Sequence, residues 1–166
     1  MSKRLIIMSL GLSFLVVGCN STNDCENGVL DGSETEIDCG GDCEPCPADP
    51  TLTATVEGVP YVATQFTAGV SGNNAINIGS SGTAGTHVNF TFSGSGLNTY
   101  LPITGGTYYN NIQGFSYHFV FGDTGSVYLT SHDELRKIIS GHFWYNATGF
   151  GASGSINDGH FENVRY

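Results

Sequence analysis

From residue 51 to the end of the chain, apolar and polar residues alternate with a period of two in short runs. That spacing puts one face of a β-strand inward and the other outward. Leu52, Ala54 and Val56 alternate with Thr51, Thr53, Thr55 and Glu57. Val88, Phe90 and Phe92 alternate with His87, Asn89 and Thr91, and Tyr117, Phe119 and Phe121 with Ser116, His118 and Val120. Further strands are predicted around 62–68, 75–78, 100–103, 127–130, 138–145, 154–156 and 160–166. Between them lie clusters of turn-forming residues, at Gly58-Val59-Pro60 and over 69–74, 79–85, 93–98, 105–106, 110–114, 122–125, 131–134 and 148–152. Asp158-Gly159 is the strongest hairpin signal, because both central residues of a type I′ turn need positive φ. No useful window carries a helical stripe. The fold class is therefore all-β. An antiparallel β-sandwich is the expected form and a small β-barrel the alternative, since the pattern does not show whether the first and last strands pair.

The start of the chain follows a different rule. Lys3 and Arg4 precede a 13-residue apolar run, Leu5 to Val17, and Val16-Val17-Gly18-Cys19 ends it with small residues before a cysteine. The run is too short for a membrane-spanning helix, which needs about 20 residues. The layout resembles a bacterial lipoprotein signal peptide with its lipobox. This divides the chain into a signal peptide (1–18), a lipidated N-terminus with an acidic Cys-rich module and linker (19–50), and a β-domain (51–166). The resemblance implies acylation of Cys19 by diacylglycerol and a further chain such as palmitate. Two or three chains give lasting attachment where one holds only marginally. The membrane, reached through this anchor, is the first expected partner, and the cell envelope outer membrane is the expected location. A soluble product of a plain secretory signal is the alternative.

Assigning Cys19 to lipid leaves Cys25, Cys39, Cys43 and Cys46, an even number in an oxidising compartment, and hence two disulfides. Three connectivities are open. The segment from Cys25 to Cys46 has only Val29, Leu30 and Ile37 as apolar content, so cross-links rather than burial must hold it. Its acidity, with no Lys or Arg from Asp24 to Asp49, admits two readings. One is a solvated spacer held by disulfides. The other is a calcium site from Asn27, Asp31, Glu34 and Asp38, because part of the EF-hand spacing is present around Gly28. Cys43-x-x-Cys46 also has zinc-ligand spacing, a reading disfavoured outside the cytoplasm. Pro45, Pro47 and Pro50 make a stiff joint to the β-domain.

After removal of the signal, Arg136, Lys137 and Arg165 are the only strong bases against 15 carboxylates. Such a body is repelled by phosphate backbones, which excludes nucleic acid as a partner. Catalytic signals are absent from the sequence. No Gly-x-Ser-x-Gly elbow occurs, and the acids of the β-domain fall mostly near predicted turns, against a paired-carboxylate hydrolase. His132 beside Asp133 and Glu134 reads as a solvated turn. His87, His118 and His142 lie on polar strand phases and read as surface residues, with a shared metal as the alternative. Aromatic residues are the domain's richest resource. Tyr108, Tyr109, Tyr128, Trp144, Tyr145 and Phe150 exceed what one face of a thin core needs. An exposed row among them, with Tyr108, Tyr109 and Trp144 as the leading candidates, would stack on a ligand ring, against a simpler role in the core.

Several segments carry a resemblance. Cys25 to Cys46 is similar to a short motif of the form C, N-G, D-G, E-T, D-C-G-G, C, C, which includes Asp38-Cys39-Gly40-Gly41 and is found in extracytoplasmic bacterial proteins. Thr53-Ala-Thr-Val-Glu-Gly-Val-Pro-Tyr61, Gly105-Gly-Thr-Tyr108, Ile139-Ser-Gly-His-Phe143 and the ending Asn157-Asp-Gly-His-Phe-Glu-Asn-Val-Arg-Tyr166 resemble an uncharacterised domain family of Bacteroidota lipoproteins. The resemblance implies an envelope location and no known activity. The expected function is a non-enzymatic, outer-membrane-anchored lipoprotein with a binding or structural β-domain. A glycan- or small-ligand-binding accessory protein is the alternative, with a glycan or protein as second partner, and a hydrolase is the remote one. No cofactor is expected beyond the calcium alternative.

Overall fold

The structure, a computed structural model, describes residues 24–82, 85–110, 114–118, 123–149 and 152–166. The expected signal peptide, Cys19, Phe119, Phe121 and Phe150 lie outside the described residues. The strands are β1 (Thr51–Val56), β2 (Val59–Ser71), β3 (Ala75–Gly82), β4 (His87–Ser93), β5 (Tyr100–Asn110), β6 (Phe115–His118), β7 (Gly125–Asp133), β8 (Ile138–Gly149) and β9 (Ala152–Arg165). All described pairings between these strands are antiparallel.

The all-β class holds, and the architecture is the closed barrel rather than the sandwich. Going round, the order is β1, β2, β3, β4, β5, β7, β8, β9, with the short β6 set between β5 and β8. Two pairings close the ring. β4 meets β5, with Val88 opposite Tyr108, and β9 returns to β1, with Phe161 opposite Leu52. The physical reason lies in strand length and bulges. β2, β5, β8 and β9 run for 13, 11, 12 and 14 residues, and register shifts interrupt β1–β9, β2–β3, β4–β5, β7–β8 and β8–β9. Each bulge bends a strand and adds twist, which lets one sheet curl onto itself instead of splitting in two.

Several predicted turns are therefore strand interior. Gly105-Gly106 lies within β5, where the Tyr145 ring covers Gly106. Asp158-Gly159 is not a hairpin but part of β9. Asp158 has φ 50°, and opposite it the β8 register slips between Phe143 and Tyr145. A bulge, like a type I′ turn, takes a residue at positive φ, so the same dipeptide serves both. A Cβ on Gly159 would lie 2.5 Å from the Phe143 ring. The two-residue turn with both φ positive is instead Glu57-Gly58, at 51° and 81°, joining β1 to β2.

The alternation read from sequence points into the barrel. Leu52, Ala54 and Val56 of β1, Val88, Phe90 and Phe92 of β4, Val127 and Leu129 of β7, and Phe143, Tyr145 and Ala147 of β8 are all buried. Eight strands leave an interior that side chains just fill. Phe90 and Phe143 stack across it at 4.2 Å. Tyr145 reaches from β8 to the far wall, where its hydroxyl lies 3.0 Å from the carbonyl oxygens of both Asn89 and Thr107. Apolar inside and largely polar outside is the reverse of a lipid-embedded barrel. No helix among the described residues is long and apolar enough to cross a membrane.

Ahead of the barrel, the Cys-rich module is cross-linked Cys25–Cys43 and Cys39–Cys46. The Asp38-Cys39-Gly40-Gly41 motif has a structural role at each residue. Asp38 is fully buried and its carboxylate accepts the Asn27 and Gly28 N–H groups at 2.7 and 2.8 Å. Gly40 and Gly41 have φ of 78° and 60°, and a Cβ on either would collide with Thr35 or Ser33. An ion pair of 2.8 Å, Arg165 to Glu36, ties the module to the end of β9.

Candidate functional site

The described surface feature best suited to a ligand is a row of rings across four adjacent strands. Strand register puts Tyr100 of β5 opposite Tyr128 of β7, Tyr128 opposite His142 of β8, and His142 opposite His160 of β9. Side chains at matched positions share one face of the sheet, and here that face is the outside. The Tyr100 and Tyr128 rings are 5.2 Å apart, and the His142 and His160 rings 4.8 Å. One step along, Trp144 stands opposite Ser126. Trp144 is 39% exposed and Tyr100 73%.

These residues line a groove of about 810 Å³, with Tyr100, Ser126, Tyr128, His142, Trp144, Asn157 and Asp158 along it. The volume falls within the usual range for small-ligand sites. The β8–β9 bulge shapes it. Two β9 residues, Asn157 and Asp158, face the stretch of β8 that holds Trp144, so polar groups flank the indole. A flat ring with amide, hydroxyl and carboxylate groups around it can stack on an apolar face while hydrogen-bonding at that face's rim.

A second, polar cleft of about 480 Å³ opens beside the β1–β2 turn, lined by Glu57, Asp123, Thr124, Asn146, Thr148, Ser153 and Ser155. Tyr108 is buried behind its Glu57 wall. The Tyr108 hydroxyl donates to Glu57 Oε1 at 2.8 Å, and its ring stacks on Tyr117 at 4.6 Å. Burial first, and then the adjacent Glu57 carboxylate, push the Tyr108 hydroxyl well above its ordinary pKa. Glu57 sits in the left-handed turn, and a Cβ on Gly154 would overlap the Tyr108 hydroxyl. Asp123 accepts the Thr148 hydroxyl at 2.9 Å.

Of the three leading aromatic candidates named from sequence, only Trp144 lies in the groove, where Tyr128 from the wider set joins it. Tyr108 is fully enclosed and cannot stack on a ligand. Tyr109 is half-buried on another part of the wall, with its ring 6.3 Å from His87. Tyr100 was missed as a groove residue. It lies in a predicted strand, and the register that aligns it with Tyr128 was not legible. His87, His118 and His142 do not converge. His87 stands opposite Tyr109 on β4–β5, and His118 opposite Thr107 and Thr148. His142 instead meets His160. His132 is held by the Tyr166 hydroxyl at 2.6 Å, and Asp133 accepts the Leu135 and Arg136 N–H groups of the β7–β8 turn at 3.0 and 2.9 Å.

The residues considered for calcium are near one another, but no three-ligand grouping among the described residues combines Asp31, Glu34 and Asp38, and their oxygens meet the module's own groups. Asp31 accepts the Asn27 amide at 2.9 Å, and Glu34 accepts the Asp38 N–H at 3.1 Å. The two three-ligand groupings among the described residues, Cys25/Glu34/Cys43 and Glu36/Cys39/Cys46, each contain both cysteines of one disulfide. Oxidised sulfurs are not the thiolates that zinc binds.

Residues 48–165 match a domain of unknown function, DUF6252. The chain belongs to the DUF6252 family. No match was found among curated proteins or among solved structures. The DUF6252 match begins in the linker and ends one residue short of Tyr166, so it takes in the whole barrel, groove and polar cleft and leaves out the disulfide module.

Proposed function

We propose that this DUF6252 protein is a non-enzymatic, lipid-anchored binding protein of the outer membrane whose barrel takes carbohydrate in the groove around Trp144. The groove carries the reading. An exposed indole and two exposed or half-exposed tyrosines stand beside Ser126, His142, Asn157 and Asp158. Pyranose rings offer an apolar face of C–H groups and a rim of hydroxyls, which is the complement of that surface. Acylation of Cys19 supplies the anchor, and the Cys-rich module with its Pro-containing linker spaces the barrel from the bilayer, as the likeness to Bacteroidota lipoproteins implies. The acidity of the mature chain supports a neutral ligand over an anionic one.

Two measurements test the two halves of the reading. Mass spectrometry of protein extracted from membranes should find Cys19 as an acylated N-terminus, and a free thiol or a retained leader would overturn the anchor. A panel of neutral polysaccharides, read by thermal shift on the full chain, should contain members that raise the melting temperature, because a ligand that prefers the folded form must do so. The shift should vanish in Trp144→Ala. A panel without any shift, or a shift retained by that variant, would overturn the groove.

A further inference from the structure

We propose that His142 and His160 form a binding site for a divalent transition metal, with zinc as the ion their geometry fits. The site does not depend on the carbohydrate reading. The two histidines are direct register partners on β8 and β9, and their Nδ1 atoms are 3.2 Å apart. Two imidazole nitrogens held at 2.0–2.1 Å by one tetrahedral zinc lie about 3.3 Å apart. The pair therefore has ligand spacing before any ion arrives.

A third residue fixes the orientation. Glu162, two positions along β9, lies 2.9 Å from His160 Nε2. A carboxylate there accepts a hydrogen bond from Nε2–H, which favours the tautomer whose Nδ1 presents its lone pair toward His142. Metal-ligating histidines ordinarily donate their other ring N–H to such a carboxylate, which holds the ring and raises its basicity. Without metal, His142 donates its Nδ1 proton to His160 Nδ1. On binding, His142 changes tautomer, carrying its proton on Nε2, and both Nδ1 atoms turn their lone pairs to the ion. No net proton is released.

The surroundings are consistent with an open site. His142 is exposed, and the His160 side chain is 39% exposed, so water completes the coordination. Bonds within the pair and to Glu162 set the rings in place on two long, mutually paired strands, so little side-chain entropy remains to be lost when the ion binds. The excess of carboxylates over strong bases in the chain raises the local concentration of cations.

The test is a titration of the full chain with zinc chloride alone, followed by calorimetry and by the imidazole nitrogen resonances. The expected result is saturable one-to-one binding, reversed by chelator, with the Nδ1 resonances of His142 and His160 shifted and those of His87 unmoved. His142→Ala and His160→Ala should each abolish it, His87→Ala should leave it intact, and Glu162→Gln should weaken it by about 10–100-fold. Absence of saturable binding would overturn the proposal. So would one-to-one binding that survives in the double alanine variant, or wild-type resonance shifts confined to other histidines.

Discussion

Replacing Tyr108 by Phe deletes one hydroxyl from the barrel's polar end and leaves its stacking on Tyr117 in place. The lost bond is the 2.8 Å donation to Glu57. Hydrogen bonds to a charged group contribute about 1.5–3 kcal/mol. Glu57 is only half-buried and borders an open cleft, so water can take up its vacated lone pair and the cost should fall near the lower end, about 1.5–2 kcal/mol. For a domain of this size each kcal/mol moves the melting temperature by roughly 3–5 °C. Tyr108→Phe should therefore melt about 5–10 °C below the parent protein. Glu57→Gln keeps an acceptor while removing the charge, and should cost less. Thermal denaturation followed by circular dichroism measures both variants. The double variant should then melt well above the sum of the separate effects, because the two residues share one bond. A Tyr108→Phe protein that melts within about 1 °C of the parent, or strict additivity in the double variant, would refute the assigned bond.

Other expectations follow from the same contacts. Tyr145 and Tyr61 are raised by burial, and Tyr108 by burial and by Glu57, so the native state keeps protons that the unfolded chain loses above about pH 10. Their contribution is complete below that pH and declines as pH rises beyond it, by about 1.4 kcal/mol per pH unit for each retained proton. In an alkaline titration, tyrosinate absorbance from these rings should appear together with unfolding, and a smooth titration of all tyrosines in a folded barrel would contradict it. Reducing the disulfides should release the Cys-rich module and leave the barrel folded, since Cys25–Cys43 alone closes a loop worth about 3 kcal/mol in a segment with little apolar content. Amide exchange that accelerates at Asn27 and Gly28 but not in β4 or β8 would be the sign. Asp38→Ala should loosen the same two amides without reduction, because each loses a buried acceptor at a cost of about 1–3 kcal/mol. Unchanged protection in that variant would count against the role given to Asp38.

Alternation of period two was enough to find the inward residues. Leu52, Val88, Phe90, Val127 and Phe143 all face the interior as the pattern implied. What it could not supply was connection between strands. The barrel depends on β1 meeting β9, and no local residue pattern encodes a pairing between strands at opposite ends of the domain. Glycine misled for a related reason. Gly105, Gly106 and Gly159 looked like turn residues, but Gly106 and Gly159 make room for the Tyr145 and Phe143 rings inside long strands. The disulfide number was legible from an even count, and the pairing was not. In the groove, Trp144 and Tyr128 were visible as surplus aromatics, whereas Tyr100 and His160 gain meaning only from register. Tyr108 carried the same apparent surplus, and its neighbour across the barrel end, Glu57, turned it inward as a hydrogen-bond donor.

Trp144 is the single tryptophan of the chain, so its indole emission, excited beyond the tyrosine absorption band, reports on the groove. Titrating the full chain with a neutral oligosaccharide drawn from the polysaccharides that raise its melting temperature should shift the indole emission to shorter wavelength in a saturable manner, as water leaves the ring. An emission spectrum that stays unchanged while the same sugar still stabilises the fold would place the ligand elsewhere and contradict the account.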